Sequence, residues 1–230
     1  KTEGRLTKFN MSVLCTDDFM NKVENDEDWN LIFPDYEKHP IEYEESWDGD
    51  IIKWQRDKLS VKIYKTMKAK DLWELIMLST YNRNDPGVLF VDTMNRMNNL
   101  WYCEEINSCN PCGEQILPVG GVCLLGSINL TQFIDLKNKT IDYDKLKRVI
   151  PIAVRMLDNV NDVTNVPLPN QKENLVNKRR IGLGMMGYGS SLIMLKLKYG
   201  STKALQITKE LLSLIKDEVY RASSMLAKEK

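Results

Sequence analysis

Two short runs are apolar at nearly every position, and each stands between stretches whose apolar residues recur at helical spacing. Val88-Leu89-Phe90-Val91 follows Asp85-Pro86-Gly87, and Ile181 to Met186 follows Arg179-Arg180. A strand apolar on both faces belongs in a parallel sheet covered on both sides. The helical stretches are clear. Ala69 to Asn82 predicts a helix with Leu72, Trp73, Ile76 and Leu78 facing inward. Leu146, Val149, Ile150, Ala153, Leu157 and Val160 predict a second, with Pro151 a first-turn residue or a local kink. Ala204, Thr208, Leu211, Leu212, Ile215, Val219, Ala222 and Leu226 form one stripe of a third. Strand alternating with helix implies an α/β fold with a parallel sheet. Periodicity does not distinguish an open sheet from a barrel.

Weaker signals fill the gaps. Leu6, Phe9, Met11, Val13 and Cys15 alternate in part and predict a strand across residues 4–15, ending at a Thr16-Asp17-Asp18 helix start. Residues 25–50 are acidic and turn-rich, with Trp29, Phe33, Pro34, Tyr36, Pro40 and Trp47, and are expected to be a surface excursion with aromatic anchors. Val61, Ile63 and Tyr64 predict a short strand. With no internal repeat and no linker, residues 1–230 are expected to form one domain. The start at Lys1 and the helical pattern running to Lys230 are those of a piece of a longer polypeptide.

Charge excludes several function classes. Lys+Arg and Asp+Glu both number 32, so no net basic field favours nucleic acid. No run approaches the roughly 18 apolar residues of a membrane span, and no signal peptide is visible. Five cysteines are an odd number for a secreted disulfide framework, and a reducing cytoplasm is the expected compartment.

The chemistry concentrates in residues 110–123, Asn-Pro-Cys-Gly-Glu-Gln-Ile-Leu-Pro-Val-Gly-Gly-Val-Cys. Asn110, Cys112 and Glu114 alternate, so an extended segment would send all three side chains to one face. An amide, a thiol and a carboxylate presented together, with Cys123 after a Pro/Gly-bounded turn, make a small redox site. Gly113 gives up side-chain packing and Pro111 removes a backbone donor, so a purely structural central strand is a poor account of the segment.

Two other readings compete. Cys109-Asn110-Pro111-Cys112 is a Cys-x-x-Cys, and Cys103 and Cys123 would complete four thiolates of a zinc-stapled binding module. Structural zinc sites more often show two close pairs, and His39 is the chain's one histidine. Cys15, Cys103 and Cys109 are otherwise expected to be inert packing residues. Gly182-Leu183-Gly184-Met185-Met186-Gly187 matches the dinucleotide fingerprint on paper, but the acidic residue expected about 20 positions on would fall inside the last helix. Those glycines are better explained by a tight turn and close helix packing. Arg179-Arg180 is expected to pair with carboxylates, with phosphate as the other option.

Asn-Pro-Cys-Gly-Glu-Gln at 110–115 and Gly-Ser-Ile-Asn-Leu at 126–130 resemble the active-site loop region of the ribonucleotide reductase catalytic subunit. Phe9-Asn10-Met11-Ser12-Val13, Asp85-Pro86-Gly87 and Arg179-Arg180-Ile181-Gly182-Leu183-Gly184 agree with the family in the same order. The resemblance implies an internal fragment of a ten-stranded α/β barrel, entered by an active-site loop at about residues 105–121. It implies reduction of ribonucleotides to 2′-deoxyribonucleotides for DNA synthesis by a ribonucleoside-diphosphate reductase. Cys112 would carry a thiyl radical, Glu114 would act as general base, Asn110 would hold the sugar hydroxyls, and Cys123 would be one of two reducing thiols.

The wording Pro-Cys-Gly-Glu-Gln is closest to the adenosylcobalamin-dependent class; the alternative is a radical supplied by a separate metal-containing subunit. Implied partners are a ribonucleotide substrate, a nucleotide effector and a thioredoxin-type reductant, with a homo-oligomer at full length. Residues 1–10 resemble by position the loop that carries effector information to the substrate base. The second reducing cysteine and the phosphate-binding turn are expected outside this chain, so the piece alone is expected to be inactive.

Overall fold

In the computed structural model, residues 5–230 are described, and they divide into two compact units at residues 119 and 120. The first unit opens with β1 (Ser12–Cys15), α1 (Asp17–Glu24), β2 (Asp28–Pro34), α2 (Pro40–Ser46) and α3 (Ile51–Arg56). It continues through β3 (Val61–Lys68), α4 (Ala69–Arg83), β4 (Gly87–Phe90), α5 (Val91–Arg96), β5 (Ser108–Cys109) and β6 (Ile116–Leu117). β1 and β4 pair in parallel with Cys15 opposite Phe90, while β2 and β3 pair antiparallel. The Thr16 hydroxyl accepts from the Phe19 N–H at 3.1 Å, satisfying one of the open donors at the start of α1. Cys15, Phe19 and Ala69 are buried together, with Val13, Trp29, Leu72 and Trp73 around them. Burial pushes the Cys15 thiol above its ordinary pKa, as an inert packing role requires.

The second unit comprises β7 (Leu124–Asn129), β8 (Ile134–Asp135), β9 (Thr140–Ile141), α6 (Tyr143–Val163), α7 (Pro169–Lys178), β10 (Ile181–Met186), α8 (Tyr188–Met194) and α9 (Thr202–Glu229). β7 and β10 are parallel over six residues, Ile181 opposite Leu124 through Met186 opposite Asn129. Its core is larger: Ile128, Leu130, Phe133, Leu146, Ile150, Val154, Leu211 and Ile215 are all buried. Gly126 lets α6 lie close to the sheet, because a Cβ there would stand 3.2 Å from a Leu157 methyl. Gly187 caps α8 at φ +76°, a conformation that side chains resist. The glycine-rich run is therefore strand and turn, as the packing explanation required.

Arg179 also takes a left-handed conformation, at the end of α7, and its guanidinium reaches back to α6. Nε and Nη2 donate to the two Asp158 carboxylate oxygens at 2.8 and 2.9 Å, and Nη1 lies 2.7 Å from Asp162. Lys230 joins both carboxylates. Hydrogen bonds from Arg179 and Lys230 hold Asp162 down at about 2 and depress Asp158 as well. The carboxylate-pairing expectation for Arg179 is met.

Several expectations need correction. The opening strand is confined to Ser12–Cys15, because the Phe9 N–H turns back to the Leu6 carbonyl at 3.1 Å. Residues 1–4 of the proposed effector-reading loop lie outside the described residues. The excursion at 25–50 contains β2 and α2; the polar and charged side chains of β2 and β3 obscured an antiparallel ribbon. Of the expected anchors, Phe33 and Trp47 cluster with Tyr43 and Trp54, with centroids 5.5–6.4 Å apart along the contacts, while Trp29 packs on Phe19 at 5.0 Å. Leu78 is 58% exposed rather than inward. Pro151 lies inside α6, whose true start is capped by Asp142 accepting from the Lys145 N–H at 2.8 Å. Phe90, Met185 and Met186 are exposed, and among the described residues each parallel pair has only two strands. The α/β class stands, and the described residues contain no closed barrel.

Candidate active site

The segment 108–117 is a short hairpin whose tip carries the sharpest chemistry in the chain. Ser108 pairs with Leu117 and Cys109 with Ile116. The Asn110 N–H donates to the Gln115 carbonyl at 3.1 Å, and the Gln115 N–H donates back to the Asn110 side-chain oxygen at 3.0 Å. Within that frame the Gly113 N–H reaches the Asn110 carbonyl at 3.0 Å and closes a β-turn. Asn at the first position, Pro111 at the second and Gly113 at the fourth suit a type I turn. Gly113 sits at φ +76°, which an L side chain would resist.

The extended-strand premise for residues 110–114 is thus wrong. Pro111 and Gly113 bend the chain, so alternation no longer decides where the side chains go. Contact is reached by another route: the Asn110 amide nitrogen hydrogen-bonds the Glu114 carboxylate across the turn. Cys112 lies between these two residues in sequence, exposed at the tip. One hairpin thus presents a thiol and, beside it, an amide joined to a carboxylate.

Beside the hairpin lies a cleft of about 500 Å³, within the usual range of small-molecule pockets. Its walls include Asn10, Ser12, Asn107, Cys109 and Pro111. The Asn107 side-chain oxygen is buried and has no hydrogen-bond partner among the described residues. Sequence reasoning missed Asn107, whose polar flanks resemble any loop. Its one signal was proximity to the motif.

The remaining candidates separate. Cys123 belongs to the second unit, one residue before β7, and is partly buried. A Cβ on Gly182 would stand 3.4 Å from its sulfur, so glycine at 182 leaves room for that thiol beside β10. Cys109 is partly buried at the end of β5. Cys103 is exposed, contrary to the packing role expected of it, because it lies in a turn closed by its N–H on the Leu100 carbonyl at 3.0 Å. The zinc-stapled module on Cys103, Cys109, Cys112 and Cys123 finds no support: among the described residues no group of three or more His, Cys, Asp or Glu is placed to hold a metal ion.

Comparison with known proteins agrees with the motif. The family described as ribonucleotide reductase, barrel domain, matches residues 1–230. A vitamin B12-dependent ribonucleoside-diphosphate reductase of Thermoplasma acidophilum is 37% identical over 98% of this chain and 26% of its own length. The protein of that name in Mycobacterium tuberculosis H37Rv is 33% identical over 100% of this chain and 29% of its own. A ribonucleoside-diphosphate reductase subunit alpha of Chlamydia pneumoniae is 32% identical over 98% of this chain and 22% of its own. The chain belongs to the ribonucleotide reductase family. It spans 22–29% of the length of these relatives. No helix among the described residues is long and apolar enough to cross a membrane.

Proposed function

We propose that the full-length protein carrying this chain reduces ribonucleoside diphosphates to 2′-deoxyribonucleoside diphosphates by thiyl-radical chemistry at Cys112. Residues 1–230 would be an internal piece of its ten-stranded catalytic barrel, with residues 105–121 as the loop entering it. The observation that carries this reading is the hairpin tip, where an exposed thiol stands beside a hydrogen-bonded amide and carboxylate.

The chemistry demands these groups. A ribose 2′-hydroxyl is a poor leaving group until a radical is made at C3′. The Cys112 thiyl takes the C3′ hydrogen, and its S–H holds that atom for return. Glu114 accepts the 3′-hydroxyl proton as general base. Asn110 bridges to Glu114 and holds the sugar hydroxyls. Cys123 and a second thiol outside this chain deliver two electrons and two protons, ending as a disulfide, while the 2′-oxygen leaves as water.

A side chain cannot make the thiyl unaided, so a cofactor must supply the radical. The relatives named vitamin B12-dependent favour adenosylcobalamin over a separate metal-containing subunit. The residues present fit a bulky radical source: Cys112 is exposed, and nothing lies within 4 Å of where a Gly113 Cβ would stand. When bound, adenosylcobalamin supplies the radical that Cys112 stores. A nucleotide effector, a thioredoxin-type reductant, a homo-oligomeric state and a cytoplasmic location complete the proposal.

Cys123→Ser in the full-length protein tests it. Hydrogen abstraction survives and one electron donor is lost, so substrate should be consumed with free base released in place of deoxynucleotide. Normal deoxynucleotide formation by this variant would contradict the assignment.

A further inference from the structure

Cys109 stands three residues before Cys112, and the proposed reaction does not use it. It ends β5, held opposite Ile116, and lines the cleft next to Pro111. Three residues of fully extended chain span about 10–11 Å, and a disulfide requires Cα atoms roughly 4.4–6.8 Å apart. The chain between them turns at the Gly113–Asn110 hydrogen bond of 3.0 Å, which brings together residues 110 and 113, so bridging Cys109 to Cys112 requires the tip to move. Cys112 at that tip is exposed, so its movement displaces no core packing. The β5–β6 pairs lie outside the moving residues and hold Cys109 in place.

We propose that Cys109 is a resolving thiol for Cys112. A peroxide oxidises Cys112, and Cys109 captures the product as a Cys109–Cys112 disulfide, a reversible off state of the radical thiol. The role rests on the reading of Cys112 given above. In the first step the Cys112 sulfur attacks one peroxide oxygen and the O–O bond breaks. The thiol proton leaves with the other oxygen as water, and Cys112 becomes a sulfenic acid. In the second the Cys109 sulfur attacks the Cys112 sulfur, the S–O bond breaks, and a second water carries away the Cys109 proton. The two thiols lose two electrons and the peroxide gains them. A dithiol restores both thiols by exchange. Without Cys109 the sulfenic acid can advance to sulfinic acid, which a dithiol does not reverse.

The test uses the full-length protein, hydrogen peroxide as probe, alkylation with peptide mass mapping, and a deoxynucleotide assay before and after dithiothreitol. The wild type should show Cys109 and Cys112 bridged within one peptide, with activity lost on oxidation and regained on reduction. Cys109→Ser, with each protein referred to its own activity before oxidation, should carry sulfinic or sulfonic Cys112 afterwards and regain a fraction less than about a tenth of the fraction the wild type regains. Cys112 bridged to Cys103 or Cys123 instead, or a Cys109→Ser variant that recovers like the wild type, would overturn the proposal. A full Cys109–Cys112 bridge with undiminished turnover would overturn the off state and the radical role of Cys112 together. The bridge is read by mass and the radical role by turnover, so the two fail distinguishably.

Discussion

The two parallel strand pairs of this chain are built alike and supported unequally. β7 and β10 lie over eight buried residues drawn from the sheet, the turn after it, α6 and α9. β1 and β4 lie near a cluster of three, Cys15, Phe19 and Ala69. The candidate hairpin belongs to the unit with the smaller of these two clusters and is tied by its own turn and side-chain hydrogen bonds. Packing in one unit and polar detail in the other therefore answer different demands. A core substitution in the second unit should cost stability, and a hairpin substitution in the first should cost chemistry.

Glu114→Gln should show the largest separation of the two effects. On the proposed role of Glu114 as general base, kcat should fall by about 10²–10⁴-fold, equivalent to roughly 3–5 kcal/mol of barrier. The thermal midpoint should stay where it was, because the carboxylate contacts the loop and not the core. A steady-state assay beside a melting curve reads both. A large fall in the midpoint would break the comparison.

Ile150→Ala should do the reverse. Ile150 is 0% exposed inside the larger core, and truncating such a residue costs about 2–5 kcal/mol. Denaturant unfolding measures the loss, and the folded fraction should retain its specific activity. A variant as stable as the wild type would show that the second unit is less well packed than its burial implies.

The smallest expected effect is electrostatic and confined to the second unit. Asp162 is held down at about 2, chiefly by its hydrogen bond from Arg179. A depressed carboxylate contributes stability that is complete above its unfolded pKa near 4 and is lost as pH falls toward 2. Asp158 shifts in the same direction for the same first cause. In Arg179→Ala the acid-induced loss of stability across this window should flatten, as followed by unfolding between pH 5 and 2. An unchanged pH profile would remove the network from the account.

Legibility in the sequence follows the same divide. Helices α4, α6 and α9 were readable because burial imposes a period, and a period survives in one sequence; β10 was readable as an unbroken apolar run, although none of its residues is buried. β2 was not, since a solvated antiparallel ribbon is free to carry Asp28, Asn30, Lys62 and Lys65. Of the two places offered for Pro151, the first turn of α6 is excluded, since the helix begins at Tyr143. At the hairpin the expected strand geometry was wrong. Asn110, Cys112 and Glu114 were picked for their chemistry, while Pro111 and Gly113 between them already encoded the turn that replaced the strand. The Asn107 oxygen was invisible because its lack of a partner is a property of three dimensions.

The radical role of Cys112 is the central claim, and Cys112→Ser in the full-length protein tests it most directly. Serine keeps the size and hydrogen bonding of the residue at an exposed turn position but cannot form a comparable radical. The account predicts no detectable deoxynucleotide and no base release, with nucleotide binding and the melting curve unchanged. Turnover near that of the wild type would contradict it.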